Sequence, residues 1–266
     1  MLVKSVYCKT VLCRSRIYGV DYAINPYTGC LHGCAYCYVP STLKRLPKNL
    51  EWGQYVFAKI NAPHVLMKEV RRIGKGYVLL SSVTDPYQPV EKVYELTRKT
   101  LEVLSRKDFS IVILTKSDLV TRDLDILKKF SNVEVGLTIT TLDEKAREVL
   151  EPKAPPIKKR FEALYELKQA GISTYAFLGP LLPFFSENYL EGLFEKLREV
   201  GVDRVMVDKL NIRGDIWKRL KNVLENNYPS LVKEFKKRTT NKYYLALKNE
   251  VMKIAFQNAV KVDFCY

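Results

Sequence analysis

From residue 75 onward, the hydrophobic pattern of this 266-residue chain switches period again and again. "GYVLLSSV" is a short apolar run ending in polar residues, as expected of a parallel strand buried on both faces. "VEKVYELTRKTLEVL" then places apolar residues at helical spacing. The alternation continues through strand "FSIVILTK", helix "LVTRDLDILKKF", strand "VEVGLTIT" and a helix beginning near "LDEKAREVL". It runs on through helix "PPIKKRFEALYELKQAG", strand "ISTYAFLGP", helix "NYLEGLFEKLREVG" and strand "VDRVMVDKL". Pro155 and Pro156 open one of these helices and Gly171 follows its end, the usual asymmetry of helix termini. Upstream, "DYAINP" reads as the first strand and feeds a cysteine-bearing loop.

Six strand–helix units in this order predict an α/β fold with a parallel sheet and right-handed crossovers. Six are too few to close an eight-stranded barrel, so the expected architecture is an open, partial (β/α)6 TIM-like barrel over residues 20–212. Residues 1–19 form an N-terminal segment. Residues 213–266 read as a helical C-terminal extension packed on the barrel, from "DIWKRLKNVLENNY", "SLVKEFKKR" and "YYLALKNEVMKIAFQNA". In such sheets the loops that follow the strands converge on one face. The cysteine loop, "SSVTDPYQP", "TKSD", "TITTLDE" and "LGPLLPFF" are therefore expected together, although they are scattered along the chain.

No stretch approaches the roughly 20 apolar residues of a membrane span, and no membrane partner is expected. Lys4, Lys9, Arg14, Arg16 and Asp21 interrupt the first 25 residues and make a poor signal peptide. A cytoplasmic location follows, where clustered cysteines bind metal more often than they form disulfides. The net charge of +15 suits a polyanionic partner, of which nucleic acid is the commonest. Lys- and Glu-rich surfaces also mark proteins from hot environments, so charge alone does not decide.

Three of the six cysteines fall within "CLHGCAYCY": Cys30, Cys34 and Cys37, in a C-x3-C-x2-C spacing. Gly29 and Gly33 supply the freedom to wrap such a loop around a metal centre. Zinc would need a fourth ligand from His32, Cys8, Cys13 or Cys265, and zinc sites prefer two cysteine pairs separated by a longer stretch. A four-iron cluster with three protein ligands and one open iron fits better.

C-x3-C-x-aromatic-C at the end of the first strand of a six-unit barrel resembles the radical S-adenosylmethionine (SAM) superfamily, over roughly residues 20–212. "NPYTGCLHGCAYCY", "SVTDPYQPVE", "TKS", "LTIT", "EPKAPPIKKRFEAL", "AGISTYAFLGPLLP" and "NNYP" are similar, in order, to the landmarks of its spore photoproduct lyase-like branch. The resemblance implies a [4Fe-4S] cluster on Cys30, Cys34 and Cys37, with SAM on the open iron. One electron, from a donor such as ferredoxin or flavodoxin, cleaves SAM to methionine and a 5′-deoxyadenosyl radical that takes hydrogen from the substrate. It implies SAM contacts from Thr84, Lys116 and Thr138, and a radical relay through Tyr36 and Tyr38. Hydroxyls and an ammonium suit the carboxylate, amine and ribose of SAM. Asp85 either binds the SAM amine or caps the helix that follows.

The branch acts on a thymine lesion in DNA and returns hydrogen from a cysteine after its second strand. Ser82 stands at that position here. A serine O–H bond is much stronger than a thiol S–H bond, so a different substrate is expected. DNA or RNA, a peptide and a small metabolite all stay open, as does a zinc-stabilised nucleic-acid-binding protein without catalysis. Cys8, Cys13 and Cys265 are expected as buried apolar residues; a second metal site or a hydrogen donor is the alternative.

Overall fold

A computed structural model describes residues 1–43, 47, 49–73 and 75–266. In chain order the strands are β1 (Leu2–Val6), β2 (Leu12–Arg14), β3 (Tyr22–Ile24), β4 (Tyr27–Thr28), β5 (Tyr55–Lys59) and β6 (Lys75–Leu80). They continue as β7 (Asp108–Thr115), β8 (Val133–Thr138), β9 (Ser173–Leu181), β10 (Arg204–Lys209) and β11 (Val262–Phe264). Eight of them form one sheet in the order β11-β10-β9-β8-β7-β6-β3-β2. The six expected strands, β3 and β6 to β10, lie side by side and parallel. The sheet is open, as six units require. Its core is the apolar runs read from the sequence: Leu80, Ile113, Leu137, Leu178 and Val207 are all buried, and each such side chain contributes about 1.5–3 kcal/mol.

Both ends of the chain extend this sheet, which hydrophobic periodicity did not foretell. β2 pairs antiparallel with β3 at one edge, and β11 pairs parallel with β10 at the other. β1, β5 and β4 build a separate three-stranded sheet, with β1 parallel to β5. Strands this short carry too few residues for a period to show. The helices Ile216–Asn227, Val232–Arg238 and Asn241–Gln257 follow β10 where the C-terminal sequence predicted them.

Two helices differ from expectation. The segment "VEKVYELTRKTLEVL" is not one helix but Glu91–Tyr94 and Leu96–Leu104, split at Glu95, whose φ is 50°. The cause is Glu91, which is wholly buried. Its carboxylate accepts from the amides of Thr97 (3.0 Å) and Arg98 (3.2 Å), and so satisfies the otherwise open N-terminus of the second helix. It also accepts from the Tyr27 hydroxyl and from Arg122 (2.9 Å). The segment "LVTRDLDILKKF" likewise becomes a 3-10 turn, Asp118–Asp123, and one helical turn, Leu124–Leu127. There the buried Asp123 draws in Arg98 and Arg122.

Candidate active site

The loop after β4 carries the three clustered cysteines, and its path depends on close backbone approach. Gly29 has φ +90°, and a Cβ there would stand 2.3 Å from the Tyr55 carbonyl oxygen. Gly33 has φ +65° and packs against Gly53, whose own Cβ would stand 2.7 Å from the Gly33 Cα. Only glycine satisfies both demands. Two segments distant in sequence then fasten the loop. The Ala35 amide donates to the Leu150 carbonyl (2.9 Å), and the Lys153 amide to that of His32 (3.3 Å). From the C-terminal helices, Arg219 donates to the carbonyls of Ala35 (3.3 Å) and Cys37.

Cys30, Cys34 and Cys37 are free thiols that line one cavity of about 300 Å³. Burial raises all three: Cys30 well above the ordinary thiol value, Cys34 to about 12, and Cys37 less. The nearby Lys116 opposes this at Cys34 and Cys37. Its Nζ lies 5.5 Å over the Tyr36 ring. Burial would lower the Lys116 ammonium, but the neighbouring Cys34 and Glu151 raise it above its usual value. The cavity thus offers soft ligands on one side and a persistent positive charge beside them.

The carboxyl-terminal residues of β7 to β10 and the loops after β6, β7 and β10 complete the wall, as expected for the carboxyl ends of parallel strands. Thr84, Asp85, Lys116 and Thr138 all line the cavity. Their side chains are not equally free. Thr84 donates its hydroxyl to the Gly29 carbonyl (2.6 Å) and accepts from Gln88 (2.9 Å), so it also ties the cysteine loop to β6. Asp85 accepts from the Thr115 hydroxyl (2.6 Å) and from the amides of Tyr87 and Lys116 (2.9 Å each). Burial would raise its carboxyl, yet His32 and these hydrogen bonds hold it at about 2. Asp85 does not cap the following helix, whose N-cap is Val90; it joins the loops after β6 and β7 instead.

The two tyrosines that flank Cys37 part company. Tyr36 is buried and donates to Glu151, a carboxylate wholly enclosed with Arg160 as its ion-pair partner. Tyr38 is 52% exposed and donates to the Ser82 carbonyl. Both line the cavity, as does Ser82, whose hydroxyl accepts from Asn25 (3.3 Å).

Sequence reasoning missed several cavity residues. Ser81 adopts φ 68°, and among the described residues its buried hydroxyl has no hydrogen-bond partner. Strain and unsatisfied polar groups cluster at functional sites. Asp208 and Lys209 end β10, Asn211 follows it, and all three line the cavity. Burial raises the Asp208 carboxyl. The polar ending of "VDRVMVDKLN" was the available signal for these three.

The remaining cysteines correct the expectation of burial. Cys13 and Cys265 are exposed and Cys8 is half-buried. Cys13 lies on β2 and Cys265 just beyond β11, at opposite ends of the sheet order. Among the described residues no group of three or more His, Cys, Asp or Glu side chains is arranged to hold a single metal ion. The donor set nevertheless suits a cluster: three soft thiols on one wall, a cation beside them, and the orphaned Ser81 hydroxyl on the same cavity. Among the described residues no helix is long and apolar enough to cross a membrane.

Comparison with known proteins agrees with this geometry. The radical SAM superfamily profile matches residues 24–197. An uncharacterized protein of Methanocaldococcus jannaschii is 36% identical over 232 residues, spanning 87% of this chain and 85% of that one. Spore photoproduct lyase of Bacillus subtilis is 26% identical over 221 residues, 79% of this chain and 60% of the lyase. A solved structure of a spore photoproduct lyase variant with dinucleoside spore photoproduct superimposes with a TM-score of 0.74 at 17% identity. It covers the whole of this chain and 81% of the lyase chain. That family match spans more than half of the chain and takes in the cysteine loop, and this chain belongs to the radical SAM superfamily.

Proposed function

We propose that this protein is a radical SAM enzyme in which Cys30, Cys34 and Cys37 hold a [4Fe-4S] cluster and SAM occupies the adjoining cavity. The observation that carries this reading is the convergence of the three thiols, Lys116, Thr138 and the orphaned Ser81 hydroxyl on one space at the carboxyl ends of the strands. When bound, the cluster and SAM supply an electron and a 5′-deoxyadenosyl radical that removes hydrogen from the substrate. The chain's own residues bind and orient. Lys116 pairs with the SAM carboxylate, and the hydroxyls of Thr138 and Ser81 serve its polar groups. Thr84 and Asp85 hold the loops that present these residues. Tyr36 and Tyr38 are the candidates for a radical relay.

A nucleic-acid base is the substrate class we favour. The chain's charge of +15, Lys209 and Asn211 on the cavity wall, and the likeness to spore photoproduct lyase support it. Ser82 in place of a hydrogen-donating thiol separates the outcome from that enzyme's repair reaction. The test is salt-dependent binding of DNA and RNA oligonucleotides to the reconstituted protein. Binding that weakens steeply with salt, and weakens further in Lys209→Glu, supports the reading. Binding indifferent to both would redirect the search to peptides and metabolites.

A further inference from the structure

Arginines that leave the surface of this protein are matched by carboxylates, with one exception. Among the described residues seven arginines are buried or half-buried. Six of them, Arg98, Arg122, Arg147, Arg160, Arg204 and Arg238, pair with a carboxylate. Arg219 has no such pair among the described residues. Asp215, one turn back on the same helix, is exposed and forms no ion pair with it. A charge withdrawn from water is costly unless an opposite charge meets it. Arg219 therefore needs an anion that the chain's carboxylates do not supply.

What Arg219 does touch is the cysteine loop. Its Nε donates to the Ala35 carbonyl (3.3 Å) and its Nη2 to the Cys37 carbonyl. The guanidinium is thus fixed against the residue that carries the third thiol. Burial raises that thiol, and the Val39 amide, Lys116 and Arg219 oppose it. Burial lowers the guanidinium in turn, and Cys37 is the largest influence against that. The other cations beside the thiols are already committed. Arg160 is matched by Glu151, and in the function proposed above Lys116 pairs with the SAM carboxylate. Arg219 comes from the helix Ile216–Asn227, beyond residues 24–197 that the superfamily profile spans.

Resting on that proposed function, we infer that the missing counter-ion of Arg219 is the cluster itself, and that Arg219 sets the cluster's reduction potential. Reduction adds one electron to a centre held by three thiolates, and no proton or group moves. A fixed cation beside the thiolates favours the more negative, reduced state. In this role Arg219 acts through Cys37, as a tuning residue and not a catalytic one.

The test is the midpoint potential of the anaerobically reconstituted protein without SAM. It is read by dye-mediated titration with dithionite and by electron paramagnetic resonance of the reduced cluster. Arg219→Gln removes the charge and keeps a hydrogen-bond donor. At a fixed applied potential its ratio of reduced to oxidised cluster should fall about tenfold, a shift of ~59 mV to lower potential. Arg219→Lys keeps the charge and loses the planar fork, so its ratio should stay within about threefold of wild type. A merely structural role would lower iron content in both variants and leave the potential of the remaining cluster unmoved. Three results would overturn the inference while the proposed function stands: an Arg219→Gln potential equal to wild type, an Arg219→Lys shift as large as that of Arg219→Gln, or an Arg219→Gln protein that holds no cluster. A wild type that takes up no [4Fe-4S] cluster would refute the proposed function and this inference with it.

Discussion

Glu151 and Arg160 are the ion pair on which the cavity wall rests, and removing one partner should be costly. Both side chains are essentially inaccessible, at 1% and 0% exposure. Glu151 also accepts from Tyr36 and, at 3.4 Å, from the Thr140 hydroxyl. Arg160 donates further to the carbonyls of Thr138 (2.9 Å) and Pro155 (2.9 and 3.1 Å). Glu151→Ala strands a buried guanidinium charge and a buried tyrosine hydroxyl at once. Breaking such a pair costs about 3–5 kcal/mol, against a total stability of about 5–15 kcal/mol. In a chain of this size that lowers Tm by roughly 10 °C. Leu150 and Lys153 flank Glu151 and fasten the cysteine loop, so iron retention should fall as well. Anaerobic denaturant titration of Glu151→Ala, Arg160→Met and the double variant Glu151→Leu/Arg160→Met is the assay. Each single change should cost several kcal/mol, and the double variant should recover most of it, because the stranded charge is gone. A single-variant cost below about 1 kcal/mol, or a double variant that equals the sum of the singles, would refute the argument.

The same carboxylate predicts acid sensitivity. Burial would raise Glu151, but Arg160, Lys116 and the Tyr36 hydroxyl hold it at about 2 instead of 4.5. A depressed carboxyl stabilises the fold above its unfolded value, so about 3 kcal/mol should be lost as pH falls from about 4.5 toward 2. Denaturant titrations across that range should show this slope in the wild type and a flatter one in Glu151→Gln. Gly29→Ala should cost about 3 kcal/mol or more, since its Cβ meets a backbone oxygen. Gly171→Ala, at φ +80° in open space, should cost only about 1–2 kcal/mol, and thermal melts of the two variants make the comparison. Arg219→Ala removes two charge-assisted bonds to the cysteine loop, worth about 1.5–3 kcal/mol each. Iron content per chain after desalting should drop in that variant while the far-ultraviolet circular dichroism spectrum is unchanged.

Long periodic elements were legible in the sequence, and short or long-range ones were not. β6 to β10 each carry a continuous apolar run, and all were anticipated within a few residues. β1, β2 and β11 are stabilised by partners far away in sequence, and nothing local announces them. The break at Glu95 comes from a buried carboxylate that satisfies the next helix, a tertiary effect that outweighs helical spacing. At the site, the meeting of the cysteine loop with the segments after the later strands was legible because loops after parallel strands converge; Thr84, Lys116 and Thr138 came from the family resemblance, and they line the same cavity as the cysteines and Asp85. That Thr84 and Asp85 spend most of their hydrogen bonds on neighbouring loops was not, since those bonds join segments 30 or more residues apart. Glu151, Arg160 and Arg219 look like ordinary surface charges in the sequence, and only the packing turns them inward.

The central claim is that Cys30, Cys34 and Cys37 hold a cluster that cleaves SAM. The most direct measurement is 5′-deoxyadenosine formed by the anaerobically reconstituted, dithionite-reduced protein supplied with SAM, beside Cys34→Ala treated identically. The account predicts product from the wild type and none from the variant, with iron content falling in parallel. A Cys34→Ala protein that keeps a full cluster and forms product at the wild-type rate would contradict it.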